Sequence, residues 1–137
     1  METNPQLKLA SEFVQFTDRN IFLTGKAGTG KTTFLHNLRK TCPKRMVVVA
    51  PTGVAAINAG GSTIHSFFQL PFGPFVAASL NPHSDKSNHV RKMNREKINL
   101  IKSLDLLVID EISMVRADTL DGIDEVLRRY RDREKPF

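Results

Sequence analysis

Apolar positions in this chain come in two rhythms. Residues 5 to 17 repeat at helical spacing, with Leu7, Leu9, Ala10, Phe13, Val14 and Phe16 giving a rough face. Asp18-Arg19-Asn20 break the pattern, and Ile21 to Thr24 read as a short buried strand. A glycine-rich loop follows, then a helix from about Lys31 to Lys40 with Phe34, Leu35 and Leu38 inward. Met46 to Ala50 is a continuous apolar run, the pattern of a strand covered on both faces in a parallel sheet. Val54 to Ala59 reads as a short helix stopped by Gly60-Gly61, and residues 62 to 68 fit either a strand end or a helical turn. Residues 70 to 90, with Pro71, Pro74 and Pro82, read mostly as loop. A helix over Arg91 to Ser103, a buried strand over Leu104 to Ile109 and a helix over Arg116 to Arg131 complete the chain. Helices alternating with buried strands predict an α/β fold with a parallel sheet flanked by helices.

Gly25 to Thr32, GKAGTGKT, fits G-x-x-x-x-G-K-[ST] between a predicted strand and a predicted helix, the setting of a phosphate-binding loop. Glycines let backbone N–H groups turn inward around phosphate oxygens, and the following helix points its positive end the same way. Lys31 would meet the β and γ phosphates and Thr32 would offer a hydroxyl to Mg2+. Gly25, Gly28, Thr29, Gly30 and Thr33 complete the candidate nucleotide contacts. Lys26 occupies a free position of the motif and fits a nucleotide contact or a solvated side chain. Leu106 to Ile109 followed by Asp110-Glu111 puts two carboxylates at the carboxyl end of a strand, where open α/β sheets bind ligands. Asp110 would hold Mg2+ and Glu111 would act as general base on the attacking water. The glutamate favours hydrolysis over transfer to a small acceptor, and the absence of N-K-x-D favours ATP.

Composition adds little until charge is placed along the chain. With 137 residues, 40% hydrophobic and 25% charged, it reads as one ordinary domain. The single cysteine, Cys42, excludes a disulfide framework and suggests a reducing setting. No signal peptide or membrane-length apolar run is visible, so no membrane partner is expected. The net charge is +6, yet residues 46 to 84 contain no Asp, Glu, Lys or Arg. Lys86, Arg91, Lys92, Arg95, Lys97 and Lys102 then cluster against one acid, Glu96. That basic segment reads as the solvated face of a helix or as a nucleic-acid contact. The uncharged block APTGVAAINAGGSTIHSFF, residues 50 to 68, offers hydroxyls and amides that could grip a strand's phosphates. Thr52, Thr63, His65 and Ser66 are the candidate contacts to single-stranded DNA. Phe67 and Phe68 could stack on bases, though core packing is favoured for at least one.

GKAGTGKT, APTGVAA, GGSTIHSFF and VIDEISMV, in this order, resemble the petite-integration-frequency (Pif-type) family of superfamily-one DNA helicases, over roughly residues 5 to 131. The resemblance implies a RecA-like P-loop ATPase, ATP and Mg2+ as cofactors, and 5′-to-3′ movement on single-stranded DNA in repair, recombination or telomere maintenance. It implies that Gln6 reads the adenine. The family's motor has two RecA-like domains, so residues 1–137 are expected to be the N-terminal part of the first, with the second beyond Phe137. The strand after the last helix normally inserts between those at 21 and 105, so the sheet here should lack a central member and the fragment alone should be inactive. The expected location is the bacterial cytoplasm (nucleoid), or the nucleus or mitochondrion in a eukaryote. The rivals are a P-loop ATPase acting as a switch or loader without unwinding, and a small-molecule kinase.

Overall fold

The structure is a computed structural model and describes residues 4–26, 28–71 and 93–137. The chain divides into two compact units, Met1–Arg45 and Met46–Phe137.

The first unit holds α1 (Pro5–Phe16) and α2 (Lys31–Thr41). Asn4 caps α1 by accepting from the Gln6 N–H, and Pro5 at the first position loses no hydrogen bond there. Ala10 and Val14 of α1 and Leu35 and Leu38 of α2 are buried. Lys44 ties the end of this unit back, donating to the Thr17 carbonyl at 2.7 Å. The expected strand at Ile21 to Thr24 does not form. Ile21 is 40% exposed and Phe22 75% exposed. A strand exists only through its ladder of inter-strand hydrogen bonds, and no strand pairs with this run among the described residues.

The second unit is built on a parallel sheet in the order β2-β1-β3, from β1 (Met46–Ala50), β2 (Ser62–Thr63) and β3 (Leu106–Ile109). Central β1 carries the fully buried Val49 and Ala50. β3 reads in the sequence as a buried strand and is only partly buried along its length, because among the described residues it has a partner on one side alone. Between β1 and β2 runs α3 (Gly53–Ala59), which Gly60 closes in the left-handed conformation at φ 70°. Residues 62 to 68 resolve into both readings at once, β2 and then α4 (Ile64–Phe68). The helix expected from Arg91 is described from Arg95, as α5 (Arg95–Ser103), capped by Asn94. Most of the predicted loop at 70 to 90 lies outside the described residues. After β3 come a 3-10 turn (Ile112–Met114) and α6 (Ala117–Tyr130). Ile64, Phe68, Ile101, Ile123 and Val126 pack with Val49 into one core. Arg131 closes it, its Nη1 donating to the carbonyls of Ile101 at 2.8 Å and Leu104 at 2.8 Å, around the end of α5.

Candidate nucleotide and nucleic-acid site

The glycines of residues 25 to 32 are there for stated geometric reasons. Gly28 (φ 80°) and Gly30 (φ 93°) are left-handed, a region that costs other residues about 1–2 kcal/mol. A Cβ on Gly25 would lie 3.0 Å from Thr29 Oγ1. Thr29 donates its hydroxyl to the Lys26 carbonyl at 2.7 Å, closing the loop on itself. Lys31 curls its ammonium onto the Gly25 and Lys26 carbonyls. No side chain caps α2, so its first N–H groups remain available to an anion. Thr32 and Thr33 are exposed on its first turn, and the Lys26 side chain is exposed as well.

Next to this loop is a groove of about 350 Å³ lined by Asn4, Leu7, Lys8, Gly30, Thr33, Phe34 and Asn37. It shares Gly30 and Thr33 with the candidate phosphate contacts and sits at the small end of ligand pockets. Gln6, expected at the adenine, is exposed on α1 and does not line the groove. Asn4 and Asn37 are the amides that do.

In the second unit, Asp110 follows β3 and is partly buried, and the exposed Glu111 is left-handed at φ 55° and ψ 45°. Among the described residues no three His, Cys, Asp or Glu side chains gather to hold a metal. A carboxylate suits Mg2+, which takes one or two such ligands and completes its shell with water and phosphate oxygens.

Each residue of the uncharged block has a definite place. Thr52 caps α3, its hydroxyl oxygen accepting from the Ala55 N–H at 3.2 Å. Thr63 caps α4 in the same way, from Ser66 N–H at 3.2 Å. In both, the hydroxyl proton can still be donated to a phosphate oxygen. His65 is partly buried and Ser66 exposed on α4. Phe67 and Phe68 are both core residues, 6% and 0% exposed, with rings edge-to-face at 4.8 Å. Neither offers a face for a base to stack on.

Two features escaped sequence reasoning. The groove involves Asn37, whose side chain carried no motif. Lys97, from the basic segment, reaches α4 by donating to the Ser66 carbonyl at 3.2 Å.

Comparison with known proteins gives a consistent result. The family model described as PIF1-like helicase matches residues 7–137. The chain is 37% identical over 123 residues to the ATP-dependent DNA helicase PIF1 of Saccharomyces cerevisiae (strain YJM789), covering 86% of this chain and 14% of that protein. It is 40% identical over 127 residues to the protein of that name from Rattus norvegicus, covering 87% and 18%. Among solved structures it resembles Pif1 from Bacteroides sp in complex with ADP-AlF4, at 45% identity and a TM-score of 0.84, over 100% of this chain and 30% of that one. Bacteroides Pif1 bound to ssDNA matches at 43% identity and a TM-score of 0.83, over 99% and 30%. The chain thus spans a small part of the length of its relatives.

Proposed function

The chain belongs to the PIF1-like helicase family, and from that premise we propose that it is the ATP-binding and hydrolysing front part of a 5′-to-3′ DNA helicase motor. The observation that carries the reading is the pairing of β1 with β3. It sets Asp110-Glu111 at the same sheet edge as Pro51 and Thr52, where the uncharged block begins. Hydrolytic and strand-gripping groups then share one rigid support.

The nucleotide's phosphates lie in the loop of residues 25 to 32, under the backbone N–H groups that Gly28 and Gly30 turn inward. Its base enters the groove between α1 and α2. Lys31 leaves the Gly25 and Lys26 carbonyls for the β and γ phosphates, exchanging neutral acceptors for charged ones. Thr32 would offer Mg2+ a hydroxyl and Asp110 a carboxylate, and the ion would supply charge neutralisation at the phosphates. The Glu111 carboxylate accepts the proton of the attacking water. Thr52, Thr63, His65 and Ser66 contact the single strand's phosphates and sugars. No helix among the described residues is long and apolar enough to cross a membrane. The chain's share of its relatives, 30% of the Bacteroides Pif1 chain, supports a second RecA-like domain beyond Phe137 that completes the channel.

The test is Lys31→Ala in the full-length protein. ATP turnover stimulated by single-stranded DNA is expected to vanish, since Lys31 is the residue at the motif's fixed lysine position, which meets the β and γ phosphates. Wild-type turnover in that variant overturns the assignment of the loop.

A further inference from the structure

By sequence, the surface proposed to grip the single strand meets a polyanion with neutral groups alone, because residues 46 to 84 hold no charge. The fold changes this. Lys97, 31 positions beyond Ser66, donates its ammonium to the Ser66 carbonyl at 3.2 Å, and its Nζ lies 5.5 Å from the centre of the Phe67 ring. Both sides of this contact are fixed. Asn94 accepts from the Lys97 N–H at 2.8 Å and sets the start of α5, while Ile101 buries that helix in the core. Phe67 is held edge-on against Phe68. The lysine is half-buried, its ammonium over the Phe67 ring and against the carbonyl of the exposed Ser66.

An ammonium has three donors, of which the Ser66 carbonyl takes one. The ring face attracts the charge without being a conventional acceptor. A donor and a full positive charge therefore remain beside Ser66 and His65. Much of the side-chain entropy that a free surface lysine would lose on meeting a phosphate has been given up already in folding.

We propose that Lys97 is a nucleic-acid contact, supplying the positive charge that one strand phosphate meets at the surface formed by Thr63, His65 and Ser66. The inference rests on the reading of that surface as the path of single-stranded DNA. It divides the basic segment, giving Lys97 a role distinct from that of its exposed neighbour Arg95.

The experiment is equilibrium binding of oligothymidylate to the full-length protein across a range of salt, without nucleotide. Lys97→Met keeps an unbranched apolar stem and removes the charge. Lys97→Arg keeps the charge. Lys97→Gln serves if the Met variant does not fold. One phosphate contact to a single strand contributes about 0.7 to the slope of log K against log salt. The wild type and Lys97→Arg should share one slope, and Lys97→Met should be shallower by about 0.7, with affinity lower at low salt and converging on the wild type at high salt. An unchanged slope overturns the proposal. If affinity also falls at unchanged slope, Lys97 only holds the α4 turn in place. A parallel His65→Ala/Ser66→Ala variant separates the two claims. Weakened binding there beside a wild-type slope in Lys97→Met rejects Lys97 alone. Wild-type binding in both variants rejects the surface.

Discussion

The backbone N–H of Asp110 donates to the carbonyl of Val49 at 2.9 Å. This bond extends the β1–β3 ladder past its last register pair, Val49 with Ile109. The main chain therefore positions the first acid of the pair, and its carboxylate has no structural duty in that ladder. Asp110→Asn should leave the fold's stability within about 0.5 kcal/mol, as for substitutions away from packing contacts. In the full-length enzyme it should raise the Mg2+ concentration needed for half-maximal ATP turnover by roughly 10-fold or more. A Mg2+ titration that superimposes on the wild type removes Asp110 from the metal site.

Glu111 sits at φ 55°, one of two non-glycine residues with positive φ among those described, the other being Gln69. Side chains other than Gly, Asn and Asp pay about 1–2 kcal/mol there. The position is exposed, so packing does not require a glutamate. Glu111→Asn should match or exceed wild-type stability in chemical denaturation, by up to about 1 kcal/mol. It should still bind ATP and lose turnover by about 10²-fold or more, the scale of general-base loss. A less stable variant that still hydrolyses ATP would mean the residue is structural.

Gly61 is required for a different reason. A Cβ there would stand 2.1 Å from the Val48 carbonyl oxygen, whereas one on Gly53 meets nothing within 4 Å. Gly61→Ala must push β2 off β1 and disturb Thr63 at the start of α4. The expected cost is about 1–3 kcal/mol, the range for overpacking. Gly53→Ala should be neutral or slightly stabilising, through lower entropy of the unfolded chain. Denaturant midpoints of the two variants decide the matter, and equal midpoints contradict the close packing of β2 on β1.

Local pattern made the second unit's elements readable from the sequence, since β1 is a continuous apolar run and Gly60 and Gly61 mark the end of α3. The phosphate loop and the acid pair were legible because both depend on a few residues at fixed spacing. Ile21 to Thr24 was not, because apolarity signals that a strand wants partners and cannot say whether they are present. The same blindness made β3 look buried when, among the described residues, it has a partner on one side alone. Phe67 was ambiguous because an aromatic beside a polar block suits stacking and core alike, and packing against Phe68 and Val49 decides it. Contacts across about 30 residues, Lys97 to Ser66 and Arg131 to Ile101, leave no trace in a linear pattern. The role of Gln6 comes from resemblance alone, and Gln6 is not among the residues lining the groove beside the loop, where Asn4 and Asn37 are.

The most direct measurement is strand separation by the full-length protein on two duplexes that differ only in whether the single-stranded tail is 5′ or 3′, with and without ATP. The 5′-tailed duplex should be unwound only when ATP is present, the 3′-tailed one should remain intact, and Lys31→Ala should unwind neither. ATP hydrolysis stimulated by single-stranded DNA with no separation of either duplex would contradict the account and leave a nucleotide-driven switch or loader in its place.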